Sequence, residues 1–146
     1  MGASEWHYRT PYTGDLTAAL TVLQHAVFHA GDYYQPESES PDGAPPASIE
    51  DLLANESVRQ SGTHSILDVG EIISTGDEDR FGAVKTISAV EALTNFGTTR
   101  PTAEDFEHAC ANGGIFDDCP RWSGRCTVLY ENGKPTQAAF WGISGD

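Results

Sequence analysis

The stretch "RCTVLYENGKPTQAAFWGI", residues 125–143, predicts a β-hairpin near the end of the sequence. Two runs rich in β-branched and aromatic residues flank the dipeptide Asn132-Gly133, which suits a tight turn because both residues tolerate positive φ. A two-residue turn places Glu131 opposite Lys134 as a modest surface pair. The hairpin therefore supplies two antiparallel strands on which other elements can be arranged.

The residues at the start of the chain predict one further strand and one long helix. Residues 5–12, "EWHYRTPY", alternate large apolar and polar side chains, as a strand with one buried face does. Asp15 is expected to cap a helix that runs through Ala30 and ends at Gly31. Its leucines, valine and alanines recur at helical spacing and predict a buried stripe.

The middle of the chain predicts a helix and two strands. Ser48 is typical of a helix start, and a helix is expected over residues 48–60. Residues 64–73, "HSILDVGEII", indicate a strand with a break or bulge at Gly70. Residues 83–87, "AVKTI", indicate a second, short strand.

Two more helices precede the hairpin. Ser88 and Glu91 have the spacing of a capping box, and the helix that they begin is expected to end at Gly97. Thr102 begins a helix that ends at Gly113. These elements do not alternate regularly enough for a doubly wound sheet.

The fold class predicted from these elements is α+β. We expect about four helices packed on a mainly antiparallel sheet of about five strands, including the C-terminal hairpin. Residues 1–146 are expected to form a single domain, because a chain of this length is close to the common domain size. Residues 35–48, rich in proline, serine and acids, are interpreted as a mobile loop within that domain.

The charge is the strongest feature of the composition. Twenty-two acidic residues face eight basic ones, for a net charge of −14. Such a surface repels phosphate backbones and anionic membranes, so neither nucleic acid nor a membrane is an expected partner. It attracts a basic protein surface and speeds the encounter with it. The alternative is that the acidity serves only solubility or adaptation to salt.

The expected location is the cytoplasm. The first ten residues, "MGASEWHYRT", lack the basic start and apolar run of a signal peptide. No run of about 18 apolar residues is present to span a membrane. Three cysteines, an odd number, suit a reducing compartment better than a disulfide framework.

The three cysteines lie in the stretch 108–126, which raises the question of a metal or redox site. Zinc is not favoured, because His108 and Cys110 point in nearly opposite directions on a helix and no short Cys-x-x-Cys knuckle is present. A disulfide between Cys119 and Cys126 is sterically allowed, although a reducing compartment opposes it. The favoured interpretation is that Cys110 and Cys126 are small core residues and that Cys119 lies in a loop.

A catalytic role for Cys119 is not favoured either. Asp117 and Asp118 precede it and raise a thiol pKa, whereas a reactive thiol needs a lowered one. Arg121 and Arg125 oppose that effect in part.

The segment "HAVFHAGD" carries the best metal-ligating pattern. His25 and His29 are four residues apart, so both imidazoles lie over one helical turn, and Asp32 follows just past the helix end. Two histidines and a carboxylate are the ligands of a non-haem iron site or an open zinc site. The alternative is that both histidines lie on an exposed helix face. In that case no cofactor is expected.

Residues 62–68, "GTHSILD", contain the residue types of a nucleophilic triad. On the predicted strand His64 and Asp68 are about 13 Å apart, and Ser65 points to the opposite face. A triad is therefore not expected here.

Aromatic side chains are the candidate anchors for a protein partner. In a predicted strand Phe140 and Trp141 face opposite sides, so one of them is either covered by a helix or exposed. The alternative is that most of the aromatic residues belong to the core. The candidate binding residues are Trp6, Tyr8, Tyr33, Tyr34 and Trp141.

The favoured function is a small, soluble, acidic binding protein that recognises a basic protein surface, as an inhibitor, immunity factor or adaptor does. The first alternative is a metal-dependent enzyme in which His25, His29 and Asp32 hold zinc or iron. The second is a metal-free small-molecule enzyme or ligand-binding protein. A binding function is favoured over an enzyme, and the expected assembly is a monomer or a homodimer.

Overall fold

The structure, a computed structural model, describes residues 4–34 and 45–145. In this part of the chain the strands are β1 (Glu5–Pro11), β2 (Glu71–Ile73), β3 (Ala83–Thr86), β4 (Ser123–Glu131) and β5 (Lys134–Ile143). The α-helices are α1 (Leu16–Ala30), α2 (Ile49–Ala54), α3 (Glu56–Ser61), α4 (Ala89–Phe96) and α5 (Ala103–Asn112). Ile66–Asp68 and Gly114–Phe116 are short 3₁₀ turns. The α+β class is confirmed.

The C-terminal hairpin forms as predicted and lies inside the sheet. Asn132 and Gly133 have φ of 52° and 77°, and Glu131 faces Lys134 across the turn. The strands of the sheet follow the order β1-β5-β4-β3-β2, so both hairpin strands have neighbours on each side. The hairpin is therefore the centre of the sheet.

The sheet is mixed, whereas a mainly antiparallel sheet was predicted. β5 pairs antiparallel with β1 and β4, but β3 pairs in parallel with β4 and with β2. The helices α4 and α5 lie between β3 and β4 in the chain. They form a crossover connection, and such a connection returns the chain in the same direction.

The helices outnumber the predicted four because one predicted helix is two. Asn55 ends α2 with extended backbone, at φ −64° and ψ 132°, and its side chain accepts hydrogen bonds from the N–H groups of Ser57 and Val58. Asparagine favours such a cap over a helix interior. The predicted caps of the other helices are confirmed, with Asp15 and Gly31 bounding α1 and a Ser88–Glu91 capping box on α4.

The prediction of a strand over residues 64–73 is wrong except at its end, over residues 71–73. Residues 66–68 form a 3₁₀ turn, and strand pairing is confined to Glu71–Ile73. Ser65 caps the turn by accepting from the Leu67 N–H, and Asp68 accepts from the Thr63 N–H. These local side-chain hydrogen bonds compete with strand pairing.

Helical layers cover both faces of the sheet. One face packs Trp6 and Phe140 against α1, α2, α3 and the turn at 66–68, and the other packs Trp141 and Phe106 with α4, α5 and the turn at 114–116. Phe140 and Trp141 are therefore both buried, each under its own layer.

Two glycines make room for Trp6 on the first face. Gly142 faces both Trp6 and Gly124 in the sheet register. A Cβ at Gly142 meets the Trp6 ring and the carbonyl oxygen of Ser123, and one at Gly124 meets the carbonyl oxygen of Trp141. Glycine at both positions lets the indole lie against the strand backbone.

Part of the loop predicted over residues 35–48 lies outside the described residues, namely 35–44. Ser48, at its other end, is the N-cap of α2. Among the described helices, none is both long enough and apolar enough to cross a membrane.

Candidate binding site

Residues 62–68, here called the Asp68 turn, enclose a buried group of polar side chains. The backbone N–H and the hydroxyl of Thr63 both donate to Oδ1 of Asp68, at 2.7 and 2.9 Å. The hydroxyls of Thr63 and Ser65 lie 2.7 Å apart, and both residues are fully buried. The turn therefore brings together side chains that the predicted strand kept apart.

Tyr8 closes this group from β1. Burial raises the pKa of its phenol to about 12, and the charges of Asp32 and Asp68 act in the same direction. Hydrogen bonds with the backbone of Ile66 and the side chain of Ser65 act against the rise. Asp32 thus lies within electrostatic reach of Tyr8.

One carboxylate oxygen of Asp68 has no partner. Among the described residues four buried side-chain nitrogen or oxygen atoms lack a hydrogen bond, and two of them are Oδ2 of Asp68 and Nε2 of His64. Burial raises the pKa of the Asp68 carboxyl above 3.8, against the hydrogen bonds from Thr63 and the nearby His64. A buried polar atom left without a partner costs about 1–3 kcal/mol, so this arrangement calls for a reason beyond stability.

Backbone strain converges on the same place. Three described residues other than glycine have positive φ, namely His64 (55°), Trp122 (65°) and Asn132 (52°). Asn132 is explained by the hairpin turn. His64 belongs to the Asp68 turn, and the Trp122 ring reaches it, because a Cβ at Gly62 lies 2.8 Å from both Oδ2 of Asp68 and the edge of that ring. Strain of this kind concentrates at functional sites.

Four aromatic rings lie in or beside the Asp68 turn. They are here called the aromatic rim and are those of Tyr34, His64, Phe81 and Trp122. Phe81 packs on Trp122 with ring centroids 4.7 Å apart, and Tyr34 stacks on His64 at 5.2 Å. The N–H of Tyr34 also donates to the carbonyl oxygen of Thr63 at 2.8 Å. The exposed fractions of Phe81 and Tyr34 are 70% and 47%, so part of the aromatic rim is accessible to a partner.

Two acidic loops lie beside the aromatic rim. Residues 74–82 precede β3 and residues 117–122 precede β4, and because these strands run in parallel both loops lie at one end of the sheet. We call them together the acidic end. Its carboxylates outside the ion pairs are exposed, namely Asp77, Glu78, Asp117 and Asp118.

Arg125, on β4, forms hydrogen bonds with both loops. Its guanidinium donates to both oxygens of Asp79 in the first loop and, at 2.7 Å, to the carbonyl oxygen of Asp118 in the second. Lys85 lies 3.7 Å from Asp79 as well. The acidic end is therefore held by charge-assisted hydrogen bonds that centre on the buried Arg125.

The predicted aromatic anchors divide into buried and accessible residues. Trp6 and Trp141 are 6% and 0% exposed, so the sheet and its helices leave neither ring available to a partner. Tyr8 is half-buried in the Asp68 turn, and Tyr33 is half-buried against Phe28 with centroids 6.0 Å apart. Tyr34 is exposed and belongs to the aromatic rim.

Four residues of the site were not selected from the sequence, namely His64, Asp68, Phe81 and Trp122. His64 and Asp68 were examined as parts of a triad on a strand, and the turn replaces that strand. For Phe81 a signal was present, because a large apolar residue in the acidic segment "GDEDRFG" has no core pattern around it.

The predicted histidine pair forms, but without the third ligand. The rings of His25 and His29 stack with centroids 6.3 Å apart on an exposed face of α1. Asp32 folds back through its backbone N–H to the carbonyl oxygen of Val27. Within residues 4–34 and 45–145 no group of three His, Cys, Asp or Glu side chains is arranged to hold a metal ion.

The cysteines are free thiols with raised pKa values. Burial raises the pKa of Cys110, Cys119 and Cys126 to about 12, 11 and 12. Cys126 is a core residue as predicted. Cys119 lies in a loop as predicted, and it is buried with its thiol near the carbonyl oxygen of Ile115. Cys110, predicted in the core, is only half-buried. None of the three has the lowered pKa of a catalytic thiol.

A groove of about 530 Å³ lies between the start of α5 and the hairpin tip. Polar side chains line much of it, including the carboxylates of Glu104 and Glu131.

No family model matches the chain, and no curated protein or solved structure matches it either. The function is therefore inferred from the site itself.

Proposed function

We propose that this protein is a small acidic binding protein whose acidic end and Phe81 recognise a basic protein surface. The observation that carries the proposal is the exposed ring of Phe81, which packs on Trp122 at a tilt and follows the acidic segment that contains Asp77 and Glu78. An accessible aromatic ring supplies the apolar contact, and the surrounding carboxylates select a basic partner.

The basic side chains do little to neutralise this surface. Of the eight in the chain, four are engaged in ion pairs with carboxylates, namely Arg9, Arg80, Lys85 and Arg125. Since the acidic residues outnumber the basic ones by 14, carboxylates without a basic partner would remain even if every basic side chain were paired. An excess charge of one sign raises the rate of encounter with the opposite sign and suppresses unsuitable partners.

Phe81 has the properties of a binding hot spot. Aromatic residues dominate the energy of many interfaces when a rim of polar groups surrounds them. Contact with Trp122 restrains the ring before binding, so less conformational entropy is lost when a partner covers it. The network around Arg125 holds the neighbouring loops in the same way.

The polar groups of the Asp68 turn favour binding over nucleophilic catalysis. The hydroxyls of Thr63 and Ser65 are fully buried, so a substrate carbonyl cannot reach them in this conformation. Both hydroxyls serve the turn through hydrogen bonds to Asp68 and Leu67. The two hydroxyls therefore stabilise the Asp68 turn, beside which the aromatic rim lies.

The test measures binding of a fluorescent octalysine peptide at low and physiological salt. We expect affinity to fall by at least about tenfold between about 20 and about 150 mM NaCl, because salt screens exposed charges. The Phe81→Ala variant should weaken binding by about five- to thirtyfold, the cost of a modest hot spot. The Asp77→Asn/Glu78→Gln double variant should weaken it and reduce the salt dependence.

Matched controls separate a specific surface from general acidity. Val90→Ala shortens another exposed apolar side chain, 71% exposed on α4, and should leave affinity unchanged. Glu104→Gln/Glu131→Gln removes the same charge at the hairpin tip, the other end of β4, and should cost less than the change at Asp77 and Glu78. Binding that ignores salt, or that survives Phe81→Ala in full, contradicts the proposal.

A further inference from the structure

We propose that the Asp68 site, made of the Asp68 turn and the aromatic rim, holds one arginine side chain of the basic partner. The guanidinium pairs with Oδ2 of Asp68 and stacks against the ring of Trp122. This inference rests on the proposed function, because it names the side chain that the basic surface inserts.

The carboxylate of Asp68 is prepared for a donor from outside. Thr63 holds Oδ1 with two hydrogen bonds and so fixes the orientation of the carboxylate. Oδ2 forms no hydrogen bond of good geometry, although the backbone N–H of Ser65 acts on the carboxyl and lowers its pKa. A guanidinium N–H offers Oδ2 a charge-assisted hydrogen bond and removes the cost of leaving that atom without a partner.

The raised pKa of the Asp68 carboxyl indicates a buried negative charge that the protein does not fully compensate, and a bound cation would compensate it. Burial keeps the pKa of the Asp68 carboxyl raised even though two hydrogen bonds from Thr63 oppose the shift. Asp32 adds negative charge within reach of Tyr8, which also senses Asp68. A positive group placed here gains from the Asp68 carboxylate.

The aromatic rim favours arginine over lysine. A guanidinium is planar and weakly hydrated, so it stacks on an aromatic face while its edge donates hydrogen bonds. Trp122 lies against Gly62 beside Oδ2, and Phe81 supports the Trp122 ring. A lysine ammonium is strongly hydrated and cannot stack in this way.

Entry requires a movement of the Trp122 ring, which packs against Gly145 as well as against Gly62. The edge of the Trp122 ring and the backbone of Gly62 cover Oδ2. Trp122 is only half-buried, and its backbone is strained at φ 65°. Displacing the ring edge from Gly62 uncovers Oδ2, and the guanidinium then takes the place that the edge has left.

The test compares an octalysine peptide with the same peptide carrying one central arginine. Wild-type protein should bind the arginine peptide about tenfold more tightly, the value of one charge-assisted contact. In Asp68→Asn this preference should fall to about one. Asparagine keeps an oxygen for Thr63 but places an NH₂ donor where the guanidinium would bind. Glu131→Gln, the same charge change at the hairpin tip, should keep the preference.

A second measurement guards against a folding defect in the Asp68 variant. Trp6 and Trp141 are buried, so a change in tryptophan emission on adding the arginine peptide reports on Trp122. The change should appear with the arginine peptide, should be much smaller with octalysine, and should vanish in Trp122→Phe. Tyr34→Leu, at an exposed rim position, should lower the arginine preference about two- to fivefold.

The outcomes separate the two proposals. Equal affinity of wild-type protein for both peptides overturns the arginine site, and so does an arginine preference that survives Asp68→Asn. In either case salt-dependent binding that still needs Phe81 leaves the proposed function standing. Loss of salt-dependent binding for both peptides overturns the proposed function and the arginine site together.

Discussion

The guanidinium of Arg125 binds both carboxylate oxygens of Asp79, with Nη1–Oδ1 at 2.7 Å and Nη2–Oδ2 at 3.1 Å. The same group donates to the carbonyl oxygens of Gly124 and Asp118. Arg125 is only 5% exposed, although it carries a positive charge. Its burial in β4 is possible because Asp79, in the loop before β3, supplies the counter-charge. The pair connects the sheet to the acidic end.

Removing the carboxylate of this pair should destabilise the fold. Asp79→Asn removes the counter-charge of the buried Arg125 guanidinium, and because Asp79 itself is exposed we expect a cost of about 1–3 kcal/mol. The free energy of unfolding in urea measures it. Glu78→Gln, the exposed neighbour, should change stability by less than about 0.5 kcal/mol. Equal urea midpoints for Asp79→Asn and wild type would falsify the structural role of the pair.

A methyl group at Gly142 should be costly. In Gly142→Ala the new carbon meets the Trp6 ring and the carbonyl oxygen of Ser123, so the ring or the strand must shift. Overpacking of this kind costs about 1–3 kcal/mol, read as a lower melting temperature. Gly76→Ala, where a Cβ meets no atom within 4 Å, is the matched control and should melt near wild type. Similar melting of the two variants contradicts the close packing of Trp6.

Asp68 should make stability depend on pH in a direction opposite to that of a salt-bridged carboxylate. Its folded-state pKa is raised above 3.8 by burial. Below its unfolded pKa the group is protonated in both states and has no effect. As pH rises through the folded pKa the carboxyl ionises in a buried place, so its contribution to stability falls.

The difference between wild type and Asp68→Asn isolates this effect, because the other carboxylates are common to both. The free energy of unfolding should favour wild type more at about pH 4 than at about pH 8. A difference that is constant, or that grows in favour of wild type with pH, rules out the raised pKa. Adding the arginine peptide should reduce the pH dependence by supplying a counter-charge.

The thiols should react slowly in the folded protein. Because the pKa values of Cys110, Cys119 and Cys126 are raised to about 12, 11 and 12, little thiolate exists near neutral pH. Iodoacetamide labelling followed by mass spectrometry should show slow modification, with half-buried Cys110 first. All three should label rapidly in denaturant. Rapid labelling of Cys119 in folded protein contradicts its burial.

The elements that the sequence predicted well are those whose signals are local. The turn at Asn132-Gly133, the cap of α1 at Asp15 and the Ser88–Glu91 capping box each depend on residues within a few positions of one another. Such signals act before distant parts of the chain meet, so they can be recognised in the sequence alone.

The predictions that were wrong involve competition between local and distant partners. Residues 64–73 have the apolar content of a strand, but the side chains of Ser65 and Asp68 bond the nearby backbone and leave only three residues to pair as β2. The parallel pairing of β3 with β4 depends on where α4 and α5 pack, which the strand sequences do not encode.

Composition and short-range hydrogen bonding account for the acidity of this protein, its α+β class, its C-terminal hairpin and the caps of its longest helices, so all of these could be predicted from the sequence alone. The candidate site, by contrast, depends on tertiary contacts. Tyr34, Asp68, Phe81 and Trp122 are up to 88 positions apart in the sequence, and they meet where loops before two parallel strands reach the Asp68 turn. Their proximity depends on the path of the chain between them, and packing of both faces of the sheet selects that path.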